Sequence, residues 1–155
     1  MKIKNKSCLI ISILIPIAIG ALSALFSGGM NTYSTINTPS FAPPSILFPI
    51  VWTILYVLMG ISSYIIYTSD SPQKSKALFF YALQLFFNFW WSIIFFNFSM
   101  YLLAFIWLIV LIILIIIMIV QFYQISPIAA YLQIPYLLWC IFAAYLNYSI
   151  YLMNK

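Results

Sequence analysis

The chain reads as an all-α integral membrane protein, a five-transmembrane-helix bundle whose long loop between helices 1 and 2 caps a pocket. Three observations point there. Of 155 residues, 66% are hydrophobic and 5% charged, with a mean hydropathy of +1.15; a water-soluble domain of this size has no interior able to hide that much apolar surface. The apolar residues fall into five runs, roughly 8–26, 45–67, 78–97, 101–123 and 127–152, each near the ~20 residues that cross a bilayer. The six lysines and the single acid, Asp70, all lie outside those runs. One domain over 1–155 accounts for the length.

A net charge of +5 in a soluble chain would suggest a nucleic-acid partner. Here the lysines flank spans as interfacial anchors, so no nucleic acid is expected. Lys2, Lys4 and Lys6 precede the first run and Lys74 and Lys76 sit in the 68–77 loop. The lysine bias places the N-terminus and the 68–77 loop in the cytoplasm and the 27–44 loop and the C-terminus outside.

The first run resembles a signal peptide, with lysines, an apolar core and the small patch Gly20-Ala21-Leu22-Ser23-Ala24. It continues to Phe26, long enough to span, and is expected to be a retained helix kinked at Pro16. Gly20, Ala24 and Gly28 form a small-residue row suited to close helix approach. The second run carries Pro49 near its start, where proline costs least. Trp52, Tyr56 and Gly60 then recur every four residues on one face.

The third run follows the polar stretch Asp70–Lys76 and carries Gln84, Asn88, Trp91 and Phe95 on one face. The fourth holds an unbroken Leu/Ile/Val/Met tract from Leu108 to Val120, which suits lipid or packing contacts and not a site. The fifth opens at Ser126-Pro127, a cap followed by proline at the first helical position. Pro135 should bend it, and Tyr136, Trp139, Cys140, Ala143 and Asn147 share a face.

The absences limit the chemistry. With no histidine, no glutamate and one aspartate in a loop, a paired-carboxylate site, a histidine relay and a conventional metal site are all out of reach. No span carries the Asp, Glu or His that a proton-coupled transporter uses. Cys8 and Cys140 lie in different runs and imply neither a disulfide framework nor zinc. No cofactor is expected.

What the spans do offer is aromatic surface with a few amides. Gln84, Asn88 and Asn147 must face the interior to be hydrogen-bonded. Trp90 and Trp107 suit packing or an interfacial belt, whereas Trp52 and Trp139 each have a small or polar neighbour one turn away. Beneath the proline-braced stretch Pro39-Ser40-Phe41-Ala42-Pro43-Pro44, such a chamber suits a large, flat, mostly apolar molecule with a few polar edges.

These residues resemble the TspO/MBR family, the tryptophan-rich sensory proteins and translocator proteins also known as peripheral benzodiazepine receptors. The likeness lies in Pro39–Pro44, Val51-Trp52, Leu55-Tyr56, Met59-Gly60, Gln84-Leu85, Asn88-Phe89-Trp90-Trp91, Ser126–Ala130 and Pro135–Trp139 with Phe142-Ala143 and Leu146-Asn147-Tyr148. It runs in family order over about residues 33–150.

The resemblance implies a five-helix bundle, often a homodimer, that binds protoporphyrin IX and other tetrapyrroles, benzodiazepine-type drugs and, in animal members, cholesterol. Some bacterial members are reported to promote light-dependent oxidative breakdown of porphyrin through pocket tryptophans. By position those would be Trp52 and Trp139. Tyr33, Pro43, Pro44, Tyr56, Asn88, Trp91, Ala143 and Asn147 would complete the pocket, with Gln84 and Cys140 on the same two faces.

Two departures stand out. Phe41 takes a place where many members have Trp. The sterol pattern Leu146, Tyr151, Lys155 is loose, so cholesterol is a doubtful partner. The resemblance favours tetrapyrrole binding with photo-oxidative degradation. The alternatives are a non-catalytic sensor or translocator and a membrane partner with an incidental pocket.

Overall fold

In the computed structural model the described residues are 5–28, Tyr33 and 36–155. Lys2 and Lys4, named above, lie outside them, as do Asn31 and Thr32 of the 27–44 loop. The helices are α1 (Lys6–Phe26), α2 (Leu47–Tyr67), α3 (Lys74–Ser92, continued by a π-helical turn at Ile93–Asn97), α4 (Tyr101–Ile125), α5 (Pro127–Tyr131) and α6 (Ile134–Met153). Among the described residues five spans are long and apolar enough to cross a membrane, α5 and α6 together forming the fifth.

Boundaries depart from the hydropathy runs for local reasons. Asn5 caps α1, its side chain accepting from Cys8 N at 3.2 Å, so Lys6 and Ser7 join the first turn. Helix α3 starts at Lys74 instead of at 78, because lysine and alanine are good helix formers and a helix may begin before its apolar face does.

The expected single bent fifth helix is instead two. Ser126 caps α5 through Ala129 N, the chain turns at Leu132-Gln133, and Pro135 occupies the first turn of α6. A proline there lacks the N–H that would bond back into α5, so the helix ends and restarts.

Helix α4 carries the core stripe Ala104, Leu108, Leu111, Ile115, Met118 and Phe122 and packs on α3 and α6. Helix α1 is peripheral, with 11% of its apolar window buried, and lies along α2. At Gly60 the α1 backbone at Ile13 comes so close that a Cβ would collide with it. That small residue on the Trp52–Tyr56 face therefore seats a helix. At Gly20 the space of a Cβ is filled by the Tyr56 ring.

The two ends of the bundle differ. At one end Asn5 N–H bonds Tyr64 Oη (3.2 Å) and Lys74 Nζ donates to the Ser69 carbonyl (3.1 Å). At the other, the loop before α2 meets the end of α6. Asn37 N–H donates to Asn154 Oδ1 (3.1 Å), and Asn154 Nδ2 donates to the Asn37 carbonyl (2.8 Å).

Candidate functional site

At the Asn37–Asn154 end a cavity of about 280 Å³ opens between α1, α2 and α3. Its α1 wall is Ile17, Gly20, Ala21 and Ala24; Phe48, Trp52 and Tyr56 come from α2, and Trp91 and Phe96 from α3 and its π turn. Short side chains on α1 leave the space that the aromatic rings on the other walls enclose.

Trp52 is the hub. Its ring stacks on Tyr56 (centroids 5.5 Å apart, 28° between planes) and lies 6.2 Å from Trp91 and 6.1 Å from Tyr136. Beneath it runs a polar line. Tyr56 Oη donates to Asn88 Oδ1 (2.9 Å), Asn88 Nδ2 donates to Tyr136 Oη (3.1 Å), and Tyr136 donates to Gln84 Oε1 (2.8 Å). Gln84, Asn88, Tyr136 and Asn147 are all buried; the bonds offset the cost of burying Asn88 and Asn147 and the Gln84 carbonyl in hydrocarbon, whereas Gln84 Nε2 has no partner. Trp91 Nε1 donates to Asn147 Oδ1 (3.3 Å), and Asn147 Nδ2 to the Tyr101 carbonyl (2.9 Å), which fixes the Trp91 ring.

The loop covers this end. Tyr33 lines the cavity, packs edge-on against Phe48 (5.1 Å) and donates through Oη to the Pro43 carbonyl (3.4 Å). Desolvation raises its phenol pKa above the ordinary value. The Pro44 carbonyl accepts from Leu47 N (2.9 Å) as the chain enters α2. Pro43 and Pro44 thus shape the lid through their carbonyls and do not line the cavity wall. Phe41 stacks on Tyr145 of α6 at 4.9 Å, away from the chamber.

The other expected residues divide. Trp139 does not join Trp52. Its ring neighbours are Phe48 (6.0 Å) and Phe142 (5.5 Å), and it lines a separate groove of about 380 Å³ between α2 and α6. Phe48 lines the Trp52 cavity and packs edge-on against Trp139, whose Nε1 has no hydrogen-bond partner. Cys140 and Ala143 are buried in the core of α6 and line neither space. Trp107 takes the packing role expected of it, stacking on Phe87 (4.4 Å) and donating to the Phe87 carbonyl (2.8 Å).

Contributors outside the candidate list are Gly20, Ala21 and Ala24, read from the sequence only as small residues on α1, and also Phe48, Phe96 and Asn154. Phe48 stands one turn before Trp52, so the four-residue spacing could have placed it. Phe96 reaches the cavity because the π turn, with Phe98 N bonding the Ile93 carbonyl (3.1 Å), rotates it off the regular helical period. Asn154, the residue that holds the loop, carries no periodic signal.

Among the described residues no cluster of His, Cys, Asp or Glu could hold a metal. The chamber offers π faces, phenol and amide groups and a lid, which is equipment for binding and orienting a ligand.

Comparison with known proteins agrees with this architecture. The TspO/MBR family model matches residues 12–153. The chain is 40% identical to a tryptophan-rich protein TspO of Archaeoglobus fulgidus over 150 residues, covering 94% of this chain and 96% of that one. It is 34% identical to the translocator protein of Sus scrofa over 147 residues (92% and 87%), and 32% identical to the tryptophan-rich sensory protein of Cereibacter sphaeroides over 122 residues (79% and 76%). The chain is an integral membrane protein and belongs to the TspO/MBR family.

Proposed function

We propose that the chain binds tetrapyrroles of the protoporphyrin IX type, and other flat apolar ligands, in the Trp52 cavity beneath the 36–46 loop. The observation that carries this reading is the Trp52–Tyr56 stack, which walls a chamber whose α1 side presents Ala21 and Ala24, with Tyr56 seated on Gly20. At about 280 Å³ the chamber is at the small end of ligand pockets, so a whole macrocycle requires the loop to move outward. The names translocator and sensory protein carried by relatives support a binding role in the membrane. The lysine-bearing end faces the cytoplasm in this reading, and the loop faces out.

A second reading adds chemistry. A bound porphyrin is its own photosensitiser and dioxygen the oxidant. The chain supplies oxidisable rings in sequence, Trp52 against Trp91 and Tyr56, with no acid or base required. The test is a protoporphyrin IX titration followed by tryptophan quenching in the dark, then illumination with the Soret band monitored. Saturable quenching that weakens in Trp52→Phe supports binding. Protein-dependent bleaching with a product that changes in Trp52→Phe supports turnover. Quenching that does not saturate sinks both.

A further inference from the structure

A second groove, of about 490 Å³, runs between α1, α2 and α3 towards the lysine-bearing end. Leu78, Leu85 and Phe89 mark its course for three turns of α3, roughly 16 Å. Ile15, Ala82 and Phe86 line it and are exposed, so it opens sideways into the hydrocarbon. Its floor includes Ser63 and Tyr81, both buried. The Ser63 hydroxyl donates to the Gly60 carbonyl (3.0 Å) and is the polar neighbour of Tyr81 Oη, which is buried and makes no well-formed hydrogen bond of its own. A phenol at that depth calls for an acceptor.

The rim is positive. Lys74 begins α3 one turn before Leu78, Lys76 is exposed in the same turn, and Lys6 begins α1. The Asn5–Tyr64 bond ties the start of α1 to the second half of α2 at this level. Asp70 is the one carboxylate near these lysines, and neither helix has an acidic residue in its first turn. Two helix N-termini add their partial positive charge.

The geometry points to an anionic phospholipid of the adjoining leaflet as the occupant. One acyl chain fills the groove, an ester carbonyl accepts from Tyr81, and the phosphate lies against Lys6, Lys74 and Lys76. The groove is at membrane depth, so its ligand arrives as a bilayer lipid and not as a free phosphate.

The test is native mass spectrometry of the full chain released from micelles containing phosphatidylglycerol and phosphatidylcholine of equal chain length. Phosphatidylglycerol is expected to be retained at least about fivefold over phosphatidylcholine. Lys6→Gln/Lys74→Gln/Lys76→Gln abolishes the preference, and Ala82→Trp, a change at an exposed position, blocks retention of both lipids. Tyr81→Phe erases the advantage of ester-linked over ether-linked phosphatidylglycerol. Unchanged porphyrin quenching in each variant reports intact folding; if porphyrin does not bind the parent, unchanged helical circular dichroism serves.

Equal retention of the two lipids by the parent overturns the proposal, as does undiminished retention in Ala82→Trp. Displacement by glycerol phosphate alone would make the rim an ion site. A changed oligomeric state in Ala82→Trp with lipid retention intact would make the groove a seat for a second copy. Either result overturns the lipid assignment.

Discussion

Tyr56 donates to Asn88 across 2.9 Å, joining α2 to α3 in the middle of an apolar bundle. Asn88 hands the connection to Tyr136 on α6, and Tyr136 to Gln84. The same Tyr56 ring carries Trp52 on one face and fills the space that Gly20 leaves on α1. The aromatic chamber and the polar line beneath it therefore share a residue, and the orientation of Trp52 depends on a hydrogen bond it does not make.

Removing Asn88 should expose that dependence. Asn88→Leu strands the Tyr56 hydroxyl as a buried donor, at a cost of about 1–3 kcal/mol. Tyr56→Phe removes the donor itself and should cost about 1 kcal/mol. In the double variant no hydroxyl is stranded, so the two costs should sum to more than the double variant shows. Thermal unfolding in one detergent measures all three; strict additivity would mean the bond is not what couples the residues.

The two candidate tryptophans should behave differently. Trp52 lines the chamber, whereas Trp139 lies behind Phe48 in the α2–α6 groove. One aromatic contact is worth about 0.5–1.5 kcal/mol, so Trp52→Phe should weaken protoporphyrin affinity by about 2- to 10-fold. Trp139→Phe should leave it within about twofold if the ligand stays in the chamber. Equal losses would show that the ligand reaches past Phe48 and that the two spaces join when it binds.

Much of this is legible in the sequence. Hydropathy marks spans because lipid demands about 20 apolar residues, and the i to i+4 spacing of Trp52 and Tyr56 sets them on one face whatever their neighbours do. Asn88 and Gln84 announced their burial by being polar in a run of phenylalanines. What stayed hidden depends on rotation between helices. Trp139 and Asn147 share a face by spacing, yet Asn147 meets Trp91 while Trp139 looks out towards α2. Both lie in the uninterrupted α6, where eight residues at 3.6 per turn leave them about 80° apart and turned to different neighbours; the π turn resets the phase of Phe96, and no fixed period crosses it.

Two glycines should be intolerant for different reasons. At Gly60 a methyl group meets the backbone of Ile13, which cannot move unless α1 moves. At Gly20 it meets the Tyr56 ring, already held by Asn88 and Trp52. Overpacking of this kind costs about 1–3 kcal/mol, so both Ala variants should melt earlier. Only Gly20→Ala should also reduce ligand affinity, because only there does the displaced group line the cavity.

The lid should respond to alkali. Burial raises the Tyr33 pKa above its ordinary value, which means that the folded loop favours the neutral phenol. Its stabilising contribution is complete below the ordinary value of ~10 and is lost as pH rises through the raised one. Ligand affinity should accordingly fall in the parent above pH ~10. In Tyr33→Phe, which has nothing to ionise there, that fall should be absent. A matching alkaline loss in the variant would assign it to the ligand or to another tyrosine.

Asn154 should act as the catch on the lid. Its side chain both accepts from and donates to the backbone of Asn37 (3.1 and 2.8 Å), and its amide also bonds the Ile150 carbonyl (2.8 Å), which anchors the clasp to the last turn of α6. The pair is exposed, so water competes for each bond and Asn154→Ala should cost global stability only about 0.5–1.5 kcal/mol. Locally the effect should be larger, because the bonds to Asn37 span the chain from the first loop to its end. Amide exchange in residues 36–46 should quicken several-fold in Asn154→Ala while that of α4 stays unchanged. If the loop must lift to admit a macrocycle, the same variant should also bind protoporphyrin IX faster and release it faster, leaving the equilibrium constant little altered. A slower association would mean that the clasp holds the loop open to ligand instead of shut.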